Sequence, residues 1–134
     1  MKKSLIDTNI ISAFMRGNRS VVQKVDEYLS IHDTLSISVI SYYEIKRGLK
    51  ALSNAHKIKI FEGFMSVCDI FILDLLVAKK ASDIYDTLRK QGQLIEDADI
   101  LIAATALENN LVVVTDNTRH FERVNGLEIV NWLE

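Results

Sequence analysis

Short apolar runs alternate with helical-period segments along the whole 134-residue chain, and no other feature constrains its fold as strongly. Lys3–Ile6, Leu35–Ser38, Ile70–Leu73 and Leu111–Val114 read as strands, with Leu127–Val130 as a fifth. Helical spacing predicts helices over Thr8–Met15, Ser20–Ser30, Val39–Leu49, Ala55–Val67, Leu75–Lys90 and Ala98–Asn109. Strands that alternate with helices imply an α/β fold, with a central, mainly parallel sheet of four to five strands flanked by helices. Leu35–Ser38, Ile70–Leu73 and Leu111–Val114 have the uninterrupted apolar or small character of buried parallel strands. In the Leu75–Lys90 helix, Leu75, Leu76, Ala78, Ala81, Ile84, Tyr85 and Leu88 read as the inward face.

Nothing in the sequence suggests a linker or a repeat, so residues 1–134 read as a single domain of ordinary size. A 49% hydrophobic content and a net charge of −2 exclude a disordered chain. No run approaches the ~18 consecutive apolar residues of a membrane span. Asp7, Asn9 and Arg16 interrupt the apolar opening too early for an export signal. The one cysteine, Cys68, cannot form an intrachain disulfide or a thiolate cluster, which points to a reducing, cytoplasmic setting. The charge balance also excludes a general basic coat for nucleic acid.

Ligands of open parallel sheets sit at the carboxyl ends of the strands, and several acids gather there in sequence. Asp7 follows the first strand, and Asp116 follows the fourth strand and Thr115. Glu44 lies early in the helix after the second strand, and Asp97 and Asp99 open the Ala98–Asn109 helix. Each also has a structural reading. Ser41-Tyr42-Tyr43-Glu44 fits a capping box, and Asp7 and Asp116 suit turns. Asp99 is the exception, because its helix is apolar on nearly every side and it shares a face with Ile102, Ala103 and Ala106. An ionised carboxylate there is costly unless paired or bound to a cation. Asp97 lies about 200° round the helix from Asp99 and suits a supporting or capping role. An oxygen-rich cluster without patterned His or Cys suits Mg²⁺ or Mn²⁺.

Four blocks carry a family resemblance. Leu5-Ile6-Asp7-Thr8-Asn9-Ile10-Ile11, Ser38-Val39-Ile40-Ser41-Tyr42-Tyr43-Glu44-Ile45-Lys46-Arg47-Gly48, Ile95–Ala104 and Val113–Val124 resemble, in order, the blocks of PIN-domain ribonucleases of the VapC toxin type. The resemblance spans essentially the whole chain. It implies a PIN-like three-layer sandwich and a Mg²⁺- or Mn²⁺-dependent endoribonuclease. That enzyme would be the toxin of a type II toxin–antitoxin pair, with a cognate antitoxin and a homodimer as partners. Cleavage in this family leaves a 3′-hydroxyl and a 5′-phosphate. Carried over, Asp7, Glu44 and Asp99 are the metal-holding acids. Thr8 and Asn9 cap the first helix and orient Asp7, with Asp97, Thr115 and Asn117 in support. The family's fourth acid falls at Asn117, with Asp116 one residue early, so Asp116 and Asn117 both remain candidates for that place.

Lys46, Arg47 and Arg119 lie nearest these blocks and are the candidate RNA-phosphate contacts. Tyr42, Tyr43 and Trp132 read as packing residues. His32, His56 and His120 lack ligand spacing and read as surface or packing residues. The apolar face of Lys57–Val67 reads as core, and by resemblance as a place to receive an amphipathic partner. Two other functions fit an α/β scaffold: a non-catalytic RNA- or protein-binding relative, and an Asp-based phosphatase. Asn9 stands where the haloacid-dehalogenase type needs a second Asp. Without Asp7, Glu44 and Asp99 the chain has 16 basic and 15 acidic residues, so the proposed site itself accounts for the negative balance.

Overall fold

The computed structural model describes residues 1–134. Strands β1 (Ser4–Ile6), β2 (Ser36–Ser38), β3 (Asp69–Phe71), β4 (Val112–Val114) and β5 (Ile129–Val130) form one sheet in the order β3-β2-β1-β4-β5. Every neighbouring pair is parallel, with Leu5 opposite Ser36 on one side and Val113 on the other. Helices α1 (Thr8–Met15), α2 (Arg19–Leu29), α3 (Val39–Ala51), α4 (Ala55–Met65), α5 (Leu75–Lys90), α6 (Asp97–Glu108) and α7 (Thr118–Phe121) connect them. None is long and apolar enough to cross a membrane.

Local chemistry sets the helix ends. The side chains of Asn18, Asn54 and Asp74 each accept from the N–H three residues on, starting α2, α4 and α5. Gly17 and Gly92, at φ +79° and +66°, let the chain leave α1 and α5 in the left-handed conformation. There the Asn18 and Gln93 N–H groups return to the Ala13 and Leu88 carbonyls at 3.0 and 2.9 Å.

Successive strand residues point to opposite faces, and this divides the core. Leu5 and Val113 pack with α5, α6 and Phe121 of α7. Ile6, Ile37 and Val114 pack with α1 to α4 and Trp132. The result is three layers. Helix α6 is the most deeply set: Ile102, Ala103, Ala104 and Ala106 are fully buried.

Several expectations change. The third strand begins at Asp69, and as the sheet edge it is exposed rather than buried, because only β2 flanks it. On α5, Leu75, Leu76 and Tyr85 are exposed and only Val77, Ala81, Ile84 and Leu88 are buried. That narrower stripe is the part that joins the core with α6, the sheet and Phe121. Ser38 caps α3, so Ser41 lies inside the helix and the Ser41–Glu44 capping box does not form. Tyr43 is exposed at 58% instead of packed. The short helix α7 was not anticipated.

Candidate active site

The strand order reverses between β1 and β4, so their carboxyl ends lie side by side at a topological switch point. Asp7 leaves β1 there, its N–H bonded to the Val114 carbonyl at 2.9 Å. The residue is only 4% exposed. Oδ1 caps α1 by accepting from the Thr8 N–H at 2.8 Å, and Oδ2 accepts from Thr115 Oγ1 at 2.7 Å. Burial raises the Asp7 pKa to about 6 despite these two bonds, and the nearby charges of Asp99 and Glu44 push it the same way.

Glu44 projects from α3 and is half-buried, with Oε1 accepting from Thr8 Oγ1 at 2.8 Å and Ser41 Oγ beside that hydroxyl at 3.0 Å. Asp99 stands in the first turn of α6, where the helix dipole favours a negative charge. Its Oδ2 lies 2.8 Å from His120 Nδ1 and 3.1 Å from Asn117 Nδ2. Asn117 is the N-cap residue of α7 but makes no side-chain cap, and its Nδ2 donates to Asp99 Oδ2 instead. Its own N–H donates to Thr115 Oγ1 at 2.9 Å, so one threonine hydroxyl touches both sides of the cluster.

The remaining sequence candidates divide. Thr8 holds Asp7 through its backbone N–H and Glu44 through its hydroxyl, while the cap of α1 is Asp7 itself. Asn9 does not orient Asp7: its Oδ1 receives the Asp116 N–H at 3.2 Å. Asp116 is exposed, and its Oδ1 accepts from Asn131 Nδ2 at 3.0 Å. Asp116, expected among the cation ligands, thus faces Asn131, and Asn117 is the residue turned toward Asp99. Asp97 is exposed and lines a groove with Ala78 and Tyr85 of α5, away from the other acids.

Lys46 pairs with Glu62 of α4, which also accepts from Tyr42 Oη at 2.6 Å. Those two partners hold the Glu62 carboxyl below its ordinary range. Arg47 lies 5.0 Å from the Tyr43 ring and is exposed, as is Arg119 on α7. Sequence reasoning missed His120. Its signal was the Asn117-x-x-His120 spacing, which puts both side chains on one side of a helical turn.

Asp7, Glu44 and Asp99 offer only oxygens, which fits a hard divalent cation that keeps part of its water shell. No three His, Cys, Asp or Glu side chains are drawn tightly enough to enclose an ion as they stand.

Comparison with known proteins gives the same placement. The sequence matches the PIN domain family over residues 4–127. The tRNA(fMet)-specific endonuclease VapC of Shigella flexneri is 30% identical over 133 residues, 98% of this chain and 99% of that protein. Ribonuclease VapC1 of Methanocaldococcus jannaschii is 32% identical over 129 residues, 95% of this chain and 86% of that protein. The DNA-bound VapBC structure from Salmonella typhimurium superposes with a TM-score of 0.87 at 30% identity, over 98% of this chain and 99% of that one. With the family matched over residues 4–127 and relatives at 30% identity or more over nearly the whole chain, the chain belongs to the PIN-domain family, among the VapC proteins.

Proposed function

We propose that this protein is an endoribonuclease toxin dependent on Mg²⁺ or Mn²⁺, held in check by a cognate antitoxin. The observation that carries the reading is the buried Asp7 carboxylate, raised to about 6 with Asp99 and Glu44 acting on it. Crowded acids of this kind are stabilised by a divalent cation, and Asp7, Glu44 and Asp99 would hold it. When bound, such an ion lowers the pKa of a water and neutralises charge on the phosphodiester. Thr115 and the α1 N-terminus fix Asp7, and Thr8 fixes Glu44, so the chain supplies prearranged oxygens. Arg47 and Arg119 supply exposed positive charge for the RNA backbone. Hydrolysis leaves a 3′-hydroxyl and a 5′-phosphate, and the protein acts in the cytoplasm.

A groove of about 440 Å³ between α1, α3 and α4 suits the antitoxin. Met15, Ile45, Leu49 and Ile60 form its apolar floor and Arg16 and Lys57 its basic edge, which suits an amphipathic helix with acidic flanks. The relative solved in complex as VapBC supports a partner of this kind.

Asp7→Asn and Asp99→Asn should each abolish RNA cleavage and growth inhibition while the circular dichroism spectrum stays native. Sequenced RNA ends from induced cells read the cleavage. Retained toxicity in a folded variant refutes the role of that acid.

A further inference from the structure

His120 contacts the site, yet the function above makes no use of it. It reaches Asp99 from α7, which is a single turn anchored by the fully buried Phe121. His120 Nδ1 and Asn117 Nδ2 lie 2.8 and 3.1 Å from the same carboxylate oxygen and 2.9 Å from each other. A carboxylate oxygen accepts, so both nitrogens donate to Asp99 Oδ2. Their mutual approach follows from converging on one atom and is not an N–H···N bond. In this arrangement Nδ1 carries a proton, while Asp99 Oδ1 keeps no protein partner. The Asp99 side chain is 14% exposed and that of His120 33%, so water competes only partly for these bonds.

We propose that His120 is a positioning residue: with Asn117 it holds Asp99 Oδ2 and thereby presents Oδ1 to the divalent cation. The proposal rests on the metal-dependent reading above and deepens it. The device is continuous with the rest of the site, because Asn117 is tied through its backbone to Thr115, which is tied to Asp7. Asp99 is the one acid of the three held by two side-chain nitrogens. Without His120 the carboxylate keeps one weaker donor and regains torsional freedom, which must be lost again when the cation binds.

Mn²⁺ titration of the full-length protein by isothermal calorimetry tests this, with His120→Ala, His120→Asn, His120→Gln and Asp99→Asn beside wild type. Loss of such a supporting bond typically weakens metal binding about 10–100-fold, so His120→Ala is expected to raise the Mn²⁺ Kd by about tenfold or more. Asn carries an N–H donor near the position of Nδ1 and should restore the Kd to within about threefold of wild type, whereas Gln carries its donor near Nε2 and should not. A residue that served only packing would shift the melting temperature in EDTA without producing this order. Should His120→Ala prove unfolded, the Asn and Gln variants decide. Wild-type affinity in His120→Ala, or equal Kd values for Asn and Gln, overturns the proposal while leaving metal dependence intact. No Mn²⁺ binding by wild type overturns both.

Discussion

Neutralising Asp7 should stabilise the cation-free protein at neutral pH while destroying its activity. Asp7 titrates at about 6 in the folded chain against an ordinary value of 3.8. A group with a raised folded pKa binds its proton more tightly when folded. Its contribution is therefore fully present below the unfolded pKa and is lost as pH rises from about 4 through about 6. With the carboxyl almost wholly buried, the difference corresponds to about 3 kcal/mol at pH 8. Asn at this position can still accept from the Thr8 N–H, but it disrupts the Thr115 bond, which costs about 1 kcal/mol. Asp7→Asn should then be more stable than wild type by about 2 kcal/mol at pH 8, a rise of about 1 M in the urea midpoint. At pH 4 native Asp7 is already protonated, so the gain falls to about 0.5 kcal/mol and the lost Thr115 bond outweighs it. Urea unfolding of both proteins in EDTA at pH 8 and pH 4 measures this. No gain at pH 8, or the same gain at both pH values, would refute the argument from burial.

Three further outcomes are expected. Thr115→Val removes the hydroxyl that lowers the Asp7 pKa and strands the Asn117 N–H, so the pH-dependent loss of stability should extend above pH 6, with about 1–3 kcal/mol of destabilisation at pH 5 by urea unfolding. Phe121→Ala should cost about 3–5 kcal/mol by the same measurement, because the ring is fully buried beneath α7. On an inactive Asp99→Asn background, Arg119→Ala should weaken RNA binding and flatten its salt dependence by about 0.7 in log–log slope.

The switch-point acids were legible because each follows from local pattern. Asp7 comes directly after an apolar strand, and Asp99 interrupts a helix that is otherwise apolar all round. Glu44 was harder, since Ser41-Tyr42-Tyr43-Glu44 matches a capping box letter for letter. Helical spacing already starts the helix at Val39, so two local signals competed, and the structure resolves them with Ser38 as the cap. The α5 face was read too broadly for a related reason. Periodicity shows that Leu75, Leu76 and Tyr85 share an apolar sector with Ile84 and Leu88, but only the elements packed against α5 decide how much of that sector is covered.

Strand and helix periods, the order of the elements and the four blocks that mark a PIN domain are properties of short windows, so the amino-acid sequence alone determined them. Only the tertiary structure turned Asn117 toward Asp99 and Asp116 away from it, paired Lys46 with Glu62 and brought His120 onto Asp99. Each of these outcomes depends on a partner remote in sequence: Asn131 for Asp116, Glu62 for Lys46, and α6 for both Asn117 and His120. A side chain's hydrogen-bonding capacity is written in its residue type, but the partner that satisfies it is chosen by how the layers pack. One residue along a turn therefore separates an acid facing Asn131 from an amide facing Asp99.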